Sequence, residues 1–330
     1  MSSGTLHAFA SCNASEVAYK ITEIFCVYNV FLQGKWTTSS EFWVNTTNFA
    51  HKTIKQMHTI PKIDIKSTPN NISLRDVAFG YRTQGSRSVT EIARGINACA
   101  KAGELTCLIG RNGIGKSTLL RCAARLQDYS DGTIAVGGRR VDDLSASELA
   151  QTISIVLTRR PETANATVEE LVALGRAPYT NIWGTLKEDD RRQVDAALES
   201  VGMTHMRSRR ALSLSDGEMQ KVLIAKSMAQ QTAVIILDEP TAFLDFPAKV
   251  EMLRTLRRLA HEQGKTIIMS THDIEIALQT ADRIWLMQKD GIVEGTPKDI
   301  VKNGDLKAYI GDNEVCIDKD TMALRIENIV

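Results

Sequence analysis

No apolar run in this sequence approaches the roughly 20 residues that a membrane-spanning helix needs. The nearest, residues 21–32 (ITEIFCVYNVFL), is short and is interrupted by Glu23 and Asn29. It has neither a basic start nor a small-residue cleavage site, so a secretory signal is not expected. A role at a membrane would therefore run through a partner. Charge of one sign is also scarce. The formal net charge is +1 and no strongly basic domain or tail appears, so nucleic acid is not an expected partner. The six cysteines (Cys12, Cys26, Cys99, Cys107, Cys122, Cys316) form no CxxC pair and no metal spacing. They read as reduced, mostly buried thiols of a cytosolic protein.

What is present reads as globular. The chain has 330 residues, 43% hydrophobic and 24% charged, enough for one large or two modest domains around a buried core. Composition changes near residues 57–70. Residues 1–50 hold Phe9, Phe25, Phe31, Phe42, Phe49, Trp36 and Trp43, and show no helical or alternating period. Residues 1–56 are accordingly read as an N-terminal extension outside the functional domain, with Met57 as a candidate initiator and 57–71 as a linker. The functional domain is expected over 72–300, followed by a C-terminal tail, 301–330.

Within 72–300, strands and helices alternate. ELTCLIG, TISIVL, AVIILD and KTIIMST read as buried strands, each separated from the next by helical patterns. Thr167 is placed to cap the helix TVEELVALG, and Gly264 to close the helix that starts at Pro247. RIWLMQKDGIVEG reads as a hairpin around Asp290-Gly291, and Pro297 opens a further short helix. Continuous apolar strands between helices imply a mostly parallel sheet covered on both faces.

The strongest chemical signal is GRNGIGKST, comprising Gly110, Arg111, Asn112, Gly113, Ile114, Gly115, Lys116, Ser117 and Thr118. It follows the strand LTCLI and opens a helix, the context that G-x-x-x-x-G-K-[ST] requires. Glycines let the backbone curl so that its N–H groups face phosphate oxygens, and the positive helix end assists. Lys116 suits the β- and γ-phosphates, and the Ser117 hydroxyl suits Mg²⁺. In AVIILDEP, apolar residues deliver Asp238 to a strand's carboxyl end, where it can hold Mg²⁺ through water. Glu239 is then placed to act on the attacking water as general base. His272, in STHD, ends the next strand and is a candidate γ-phosphate sensor. Ser215-Asp216-Gly217-Glu218 fits the capping box S-x-x-E, with two acids in the first helical turn.

The order of phosphate loop, LSDGE, ILDEPTAFLD and STHD resembles the ATP-binding subunit of ABC transporters, over about residues 72–300. That resemblance implies an α/β, P-loop NTPase-type, mostly parallel sheet with a helical subdomain carrying a signature motif and an antiparallel β-subdomain. It makes the chain an ATPase that works as a head-to-tail dimer with a second copy or a homologous subunit. Leu214, Ser215, Asp216, Gly217 and Glu218 would then stand in the signature that meets ATP held by the opposite subunit. Leu244 and Asp245, in AFLD, resemble the D-loop across that interface, and Tyr81, in FGYR, resembles the aromatic that stacks on adenine. Residues 171–190, LVALGRAPYTNIWGTLKEDD, resemble the LGR-x-P stretch of importers for iron-siderophore complexes, haem and cobalamin. In physical terms the same stretch is a helix end, with Gly175 as breaker and Pro178 in a surface loop. The implied partners are polytopic membrane permease subunits and, indirectly, a substrate-binding protein, at the cytoplasmic face of the membrane.

Two departures stand out. Asp216 and Glu218 occupy positions where Gly and Gln are usual. Like charges near a phosphate cost several kcal/mol at an effective dielectric of about 20, so Asp216 must point away or be offset by a cation such as Lys221. At the Q-loop position the chain has Thr158, followed by Arg159 and Arg160. A Thr hydroxyl is shorter than a Gln amide, so a bridging water would have to reach the metal. Two alternatives remain open: a non-transport ABC ATPase of the cluster-assembly type, and a regulatory nucleotide-binding module. An importer for another substrate is a third.

Overall fold

A computed structural model describes residues 70–82, 89–157, 166–181, 183–311, 315–318 and 321–326. The expected extension 1–56, most of the linker, and Thr158 with Arg159 and Arg160 lie outside the described residues. The chain divides into two compact units, Met1–Ile65 with Thr180–Thr185, and Lys66–Tyr179 with Leu186–Val330. Of the first, the described part is a turn in which Asn181 Oδ1 accepts the N–H groups of Trp183 and Thr185, each at 3.1 Å.

In the second unit the chain runs through β1 (Ile72–Arg82), β2 (Val89–Ala100), β3 (Leu105–Gly110), α1 (Lys116–Ala123), β4 (Asp131–Val136) and β5 (Arg139–Arg140). It continues with α2 (Ala146–Thr152), β6 (Ile153–Val156), α3 (Val168–Ala173), a 3₁₀ segment (Leu174–Tyr179), α4 (Glu188–Ser200) and α5 (Asp216–Ala229). Next come β7 (Val234–Leu237), α6 (Phe246–Gln263), β8 (Thr266–Thr271), α7 (Ile274–Thr280), β9 (Arg283–Gln288) and β10 (Gly291–Gly295). The last elements are α8 (Pro297–Lys302), α9 (Asp305–Ile310), β11 (Val315–Ile317) and β12 (Leu324–Ile326).

The larger sheet has the order β10-β9-β3-β8-β7-β6 and is parallel except at β9–β10, the expected hairpin. Every residue of β3, β7 and β8 is buried. Alternate residues feed two separate cores: Cys107, Ile109, Ile235, Leu237, Ile267 and Met269 face one, and Leu108, Val234, Ile236 and Ile268 the other. This is the two-sided burial that continuous apolar strands imply. The second sheet, β2-β1-β4-β5, is antiparallel, and β11 pairs with β12 alone. The fold is thus the α/β arrangement expected, with an antiparallel β-layer.

Thr167, Ser215 and Thr296 each close a capping box with the acid three residues on, and so does Ser145 with Glu148, a fourth instance of the same local signal. Gly264 takes the left-handed conformation that ends α6.

The helices α3, α4 and α5 form a group joined at one buried point. Arg176 is 5% exposed; its Nε donates to Asp190 Oδ1 at 2.9 Å, and its guanidinium also donates to Ala229 O and Gln231 Oε1 and stacks on Tyr179. Asp190 Oδ2 accepts the Lys187 N–H at 2.9 Å, which fixes the start of α4. Gly175 is needed for space: a Cβ there would stand 2.2 Å from Lys226 O on α5. The LGRAPY stretch is therefore not a surface loop behind a helix breaker. It is a 3₁₀ segment whose arginine bolts α4 to the end of α5.

Burial would raise the Asp190 pKa, but the Lys187 N–H and the Arg176 guanidinium outweigh it and hold the carboxyl below its ordinary value. A depressed folded-state value gives stability that is present above the unfolded pKa and lost as pH falls through the folded one. Asp190→Asn is expected to destabilise the chain by about 3–5 kcal/mol at neutral pH. In urea unfolding the gap to wild type should shrink as pH falls below about 3.9. A gap independent of pH would assign the loss to packing instead.

Candidate functional site

Three strand ends converge on one carboxylate. The register sets Ile109 of β3 beside Thr271 of β8, and Met269 of β8 beside Leu237 of β7. The residues just past β7 and at the end of β8 therefore face the loop that leaves β3. Asp238, 2% exposed, accepts the Ser117 hydroxyl at 2.9 Å and the Ser270 hydroxyl at 2.8 Å, both at Oδ1. Its backbone N–H continues the sheet by donating to Val156 O at 2.8 Å.

The loop itself needs its glycines. Gly113 and Gly115 have φ of 78° and 108°, which L side chains rarely adopt. A Cβ on Gly115 would also lie 2.8 Å from Ile92 Cγ2 and 3.0 Å from Phe79 Cε2. Helix α1 starts on Gly115 with no side-chain cap and no acid in its first turn. Its opening N–H groups and dipole are thus offered to an anion rather than to a carboxylate of the chain. Lys116 is 6% exposed, and its Nζ donates to Gly110 O at 2.7 Å and Arg111 O at 3.3 Å. Burial lowers its pKa while the Glu239 and Asp238 carboxylates act in the opposite direction. Thr118 is buried, whereas Arg111, Asn112 and Gly113 are exposed and Ile114 is half-buried.

Glu239 follows in the left-handed region, φ 49°, with its N–H donating to Ser270 Oγ at 2.9 Å. Its Oε2 lies 3.9 Å from His272 Nδ1. The structure therefore gathers Lys116, Ser117, Asp238, Glu239 and His272 as the motifs anticipate, and adds Ser270. The half-buried Ser117 hydroxyl in contact with a carboxylate oxygen, with a phosphate-shaped loop beside them, suits a small hard cation that keeps waters and phosphate oxygens as its other ligands. The donor set fits Mg²⁺; among the described residues no cluster of three or more acids, histidines or cysteines forms a cage.

The signature residues sit at the opposite kind of helix start. Ser215 Oγ accepts the Glu218 N–H, while Glu218 Oε2 accepts both the Ser215 N–H at 2.8 Å and its hydroxyl at 2.9 Å. Hydrogen bonds from the Ser215 N–H and hydroxyl hold the Glu218 carboxyl below its usual value, with smaller contributions from Arg209 and His205. Lys221 Nζ lies 3.3 Å from Glu251 Oε2. Asp216 is exposed and Leu214 is buried. A Cβ on Gly217 would sit 3.3 Å from Leu244 Cδ2, so signature and D-loop positions touch within one chain. Asp245 caps α6 through the Ala248 N–H at 3.0 Å. Tyr81 lies in β1 opposite Thr90, but its side chain, like Thr158, lies outside the described residues.

Burial pushes the pKa values of the free thiols Cys107 and Cys122 up to about 12, which disfavours their reactive thiolate forms at neutral pH.

Comparison with known proteins agrees with this geometry. Residues 93–242 match the family model described as ABC transporter. The chain is 38% identical over 212 residues to an uncharacterised ABC transporter ATP-binding protein of Methanocaldococcus jannaschii, covering 64% of this chain and 73% of that one. It is 35% identical over 255 residues to the iron(3+)-hydroxamate import ATP-binding protein of Bacillus subtilis, covering 76% and 92%. A solved structure of an ABC transporter component from Clostridium perfringens superposes with a TM-score of 0.60 at 29% identity, over 72% of this chain and 96% of that one. With these matches and a phosphate loop tied to an acidic strand end, the chain belongs to the ABC transporter ATP-binding family and is an ATPase.

Proposed function

We propose that this chain is the ATPase subunit of an importer for an iron-siderophore complex or a related metal chelate, such as haem or cobalamin. The observation that carries the ATP chemistry is the acid-free start of α1 joined to Asp238 through Ser117. The 35% identity to an iron-hydroxamate import subunit, across 92% of its length, supports the substrate class. The LGRAPY stretch supports it less than its sequence suggests, because its arginine is fully engaged inside the helical group.

In this reading the N–H groups of residues 113–118 and the Lys116 ammonium bind the phosphates of ATP. Ser117 and Asp238 would hold Mg²⁺, which would supply charge stabilisation for the phosphate oxygens. Glu239 accepts a proton from the attacking water, and His272, within reach of Glu239, contacts the γ-phosphate. Tyr81 stacks on adenine, and Thr158 takes the Q-loop position. A second copy, head to tail, brings Ser215 and the rest of its signature to the far side of the γ-phosphate, with Leu244 and Asp245 beside it. Closure of the pair moves polytopic permease subunits, which receive their cargo from a substrate-binding protein. The permease would hold this subunit at the cytoplasmic face, since among the described residues no helix is long and apolar enough to cross a membrane. Residues 72–300 form the working cassette, with 1–56 outside it and 301–330 as a tail.

Glu239→Gln is expected to cut turnover at least about 100-fold while ATP still binds and the protein runs as a dimer in size-exclusion chromatography. Hydrolysis at the wild-type rate would remove Glu239 from the role. Purification from native membranes should bring down a polytopic membrane protein, and its absence would favour a non-transport ATPase.

Glu218 engages the same Ser215 hydroxyl that would meet the partner's phosphate. Glu218→Gln is therefore expected to strengthen ATP-driven dimerisation severalfold, and Asp216→Gly to change it less. The reverse order in a sedimentation titration would make Asp216 the restraining charge.

A further inference from the structure

We propose that Ser270 is a positioning residue for ATP hydrolysis, holding Asp238 and Glu239 in their working geometry through one hydroxyl. The inference rests on the reading of Asp238 as metal holder and Glu239 as general base. Nothing in the phosphate-loop, acidic-strand or STHD motifs singles out this serine.

Ser270 is fully buried at the end of β8. Its hydroxyl proton is donated to Asp238 Oδ1 at 2.8 Å, and its oxygen accepts the Glu239 N–H at 2.9 Å. One atom thus ties two successive residues of the neighbouring strand end.

Glu239 is where such a tie is needed. Its φ of 49° is costly for a residue that carries a Cβ, on the order of 1–3 kcal/mol, unless the surroundings over-determine it. Pro240 follows, and a residue before proline is restricted further. The hydrogen bond to Ser270 fixes the peptide that sets this conformation, and so the direction in which the Glu239 carboxylate leaves the backbone. Without it a buried N–H loses its partner and the strained peptide is free to relax, which carries the carboxylate away from His272.

At Asp238 the effect is different. Oδ1 receives hydroxyls from Ser117 and Ser270 together, so the carboxylate plane is set from two elements at once. If the Ser117 hydroxyl shifts toward a cation and its bond to Asp238 lengthens, the Ser270 hydroxyl still holds Oδ1 from a second strand. An alanine at this position would supply neither bond.

Ser270→Ala and Ser270→Thr, made in the full-length chain and assayed in the assembly that hydrolyses ATP, test this, with Asp238→Asn and Glu239→Gln as references. For Ser270→Ala we expect kcat to fall at least tenfold. Binding of a fluorescent ATP analogue without divalent cation should stay within threefold, and the Mg²⁺ concentration for half-maximal binding should rise at least threefold. Ser270→Thr, which keeps the hydroxyl, should recover most of the loss in kcat. A Ser270→Ala protein with kcat and Mg²⁺ midpoint within twofold of wild type would overturn the proposal. So would a tenfold loss of cation-free nucleotide binding, which would mark a structural role. If Asp238→Asn and Glu239→Gln themselves turn over normally, the underlying site reading fails; if they are inactive and Ser270→Ala is normal, only the role of Ser270 fails.

Discussion

The parallel register of β3, β8 and β7 is the constraint on which the rest of the site depends. It brings the exit of β3, the end of β8 and the residue past β7 to one edge, where Ser117, Ser270 and Asp238 share hydrogen bonds of 2.8–2.9 Å. A slip of one residue in any pair would turn alternate side chains to the other face. Because both faces are buried by separate cores, such a slip would exchange Ile235 and Leu237 with Val234 and Ile236. Packing alone would tolerate that exchange of aliphatic residues better than the polar edge would. The hydroxyl–carboxylate contacts therefore specify what the apolar core leaves loosely specified.

Two helix starts in this chain show how the same dipole serves different ends. Helix α1 opens on a glycine, with no acid and no cap, and is turned toward a buried lysine and a loop of backbone N–H groups. Helix α5 opens on a serine whose donors and acceptors are already matched by Glu218. An anion approaching α1 meets unclaimed dipole, whereas one approaching α5 must first displace a carboxylate. The question posed by two acids in a signature-like motif is thus local and geometric. Glu218 neutralises the helix end within its own chain, and Asp216 stands exposed beside it.

Local signals were the legible part of both fold and site. Caps at Thr167 and Ser215, the helix opened by Pro297, the left-handed Gly264, the Asp290-Gly291 hairpin and the buried strands depend on residues a few positions apart, and they appear where the pattern placed them. The phosphate loop and the Asp238-Glu239 pair were legible for the same reason. Contacts between distant segments were not. Ser270 sits inside STHD without any feature that marks it, because its value comes from a strand 31–32 residues away. Arg176 reads as part of a surface turn until Asp190, Ala229 and Gln231 close around it. Lys221, near Asp216 in sequence, also reaches Glu251 on α6, a contact that proximity in sequence does not show.

The helical group and the sheet are joined through one end of α5. At its C-terminal half α5 is held by Ser227, whose hydroxyl meets Ser154 of β6 at 2.6 Å, and Thr232 donates to the same Ser154. Gln230 donates to Ala150 O and Ile153 O, and Arg176 reaches Ala229 O. Each buried polar group left unmatched would cost about 1–3 kcal/mol. Pulling α5 away from β6 would unmatch several at once, so a rotation that keeps this end fixed costs less than a translation. The N-terminal turn, with Ser215 at its tip, is closed instead by the Ser215–Glu218 capping box and has Gly217 close to Leu244 and Phe243. The buried hydroxyl cluster of Ser154, Ser227 and Thr232 thus ties this end of α5 to β6, which stays in register with β7.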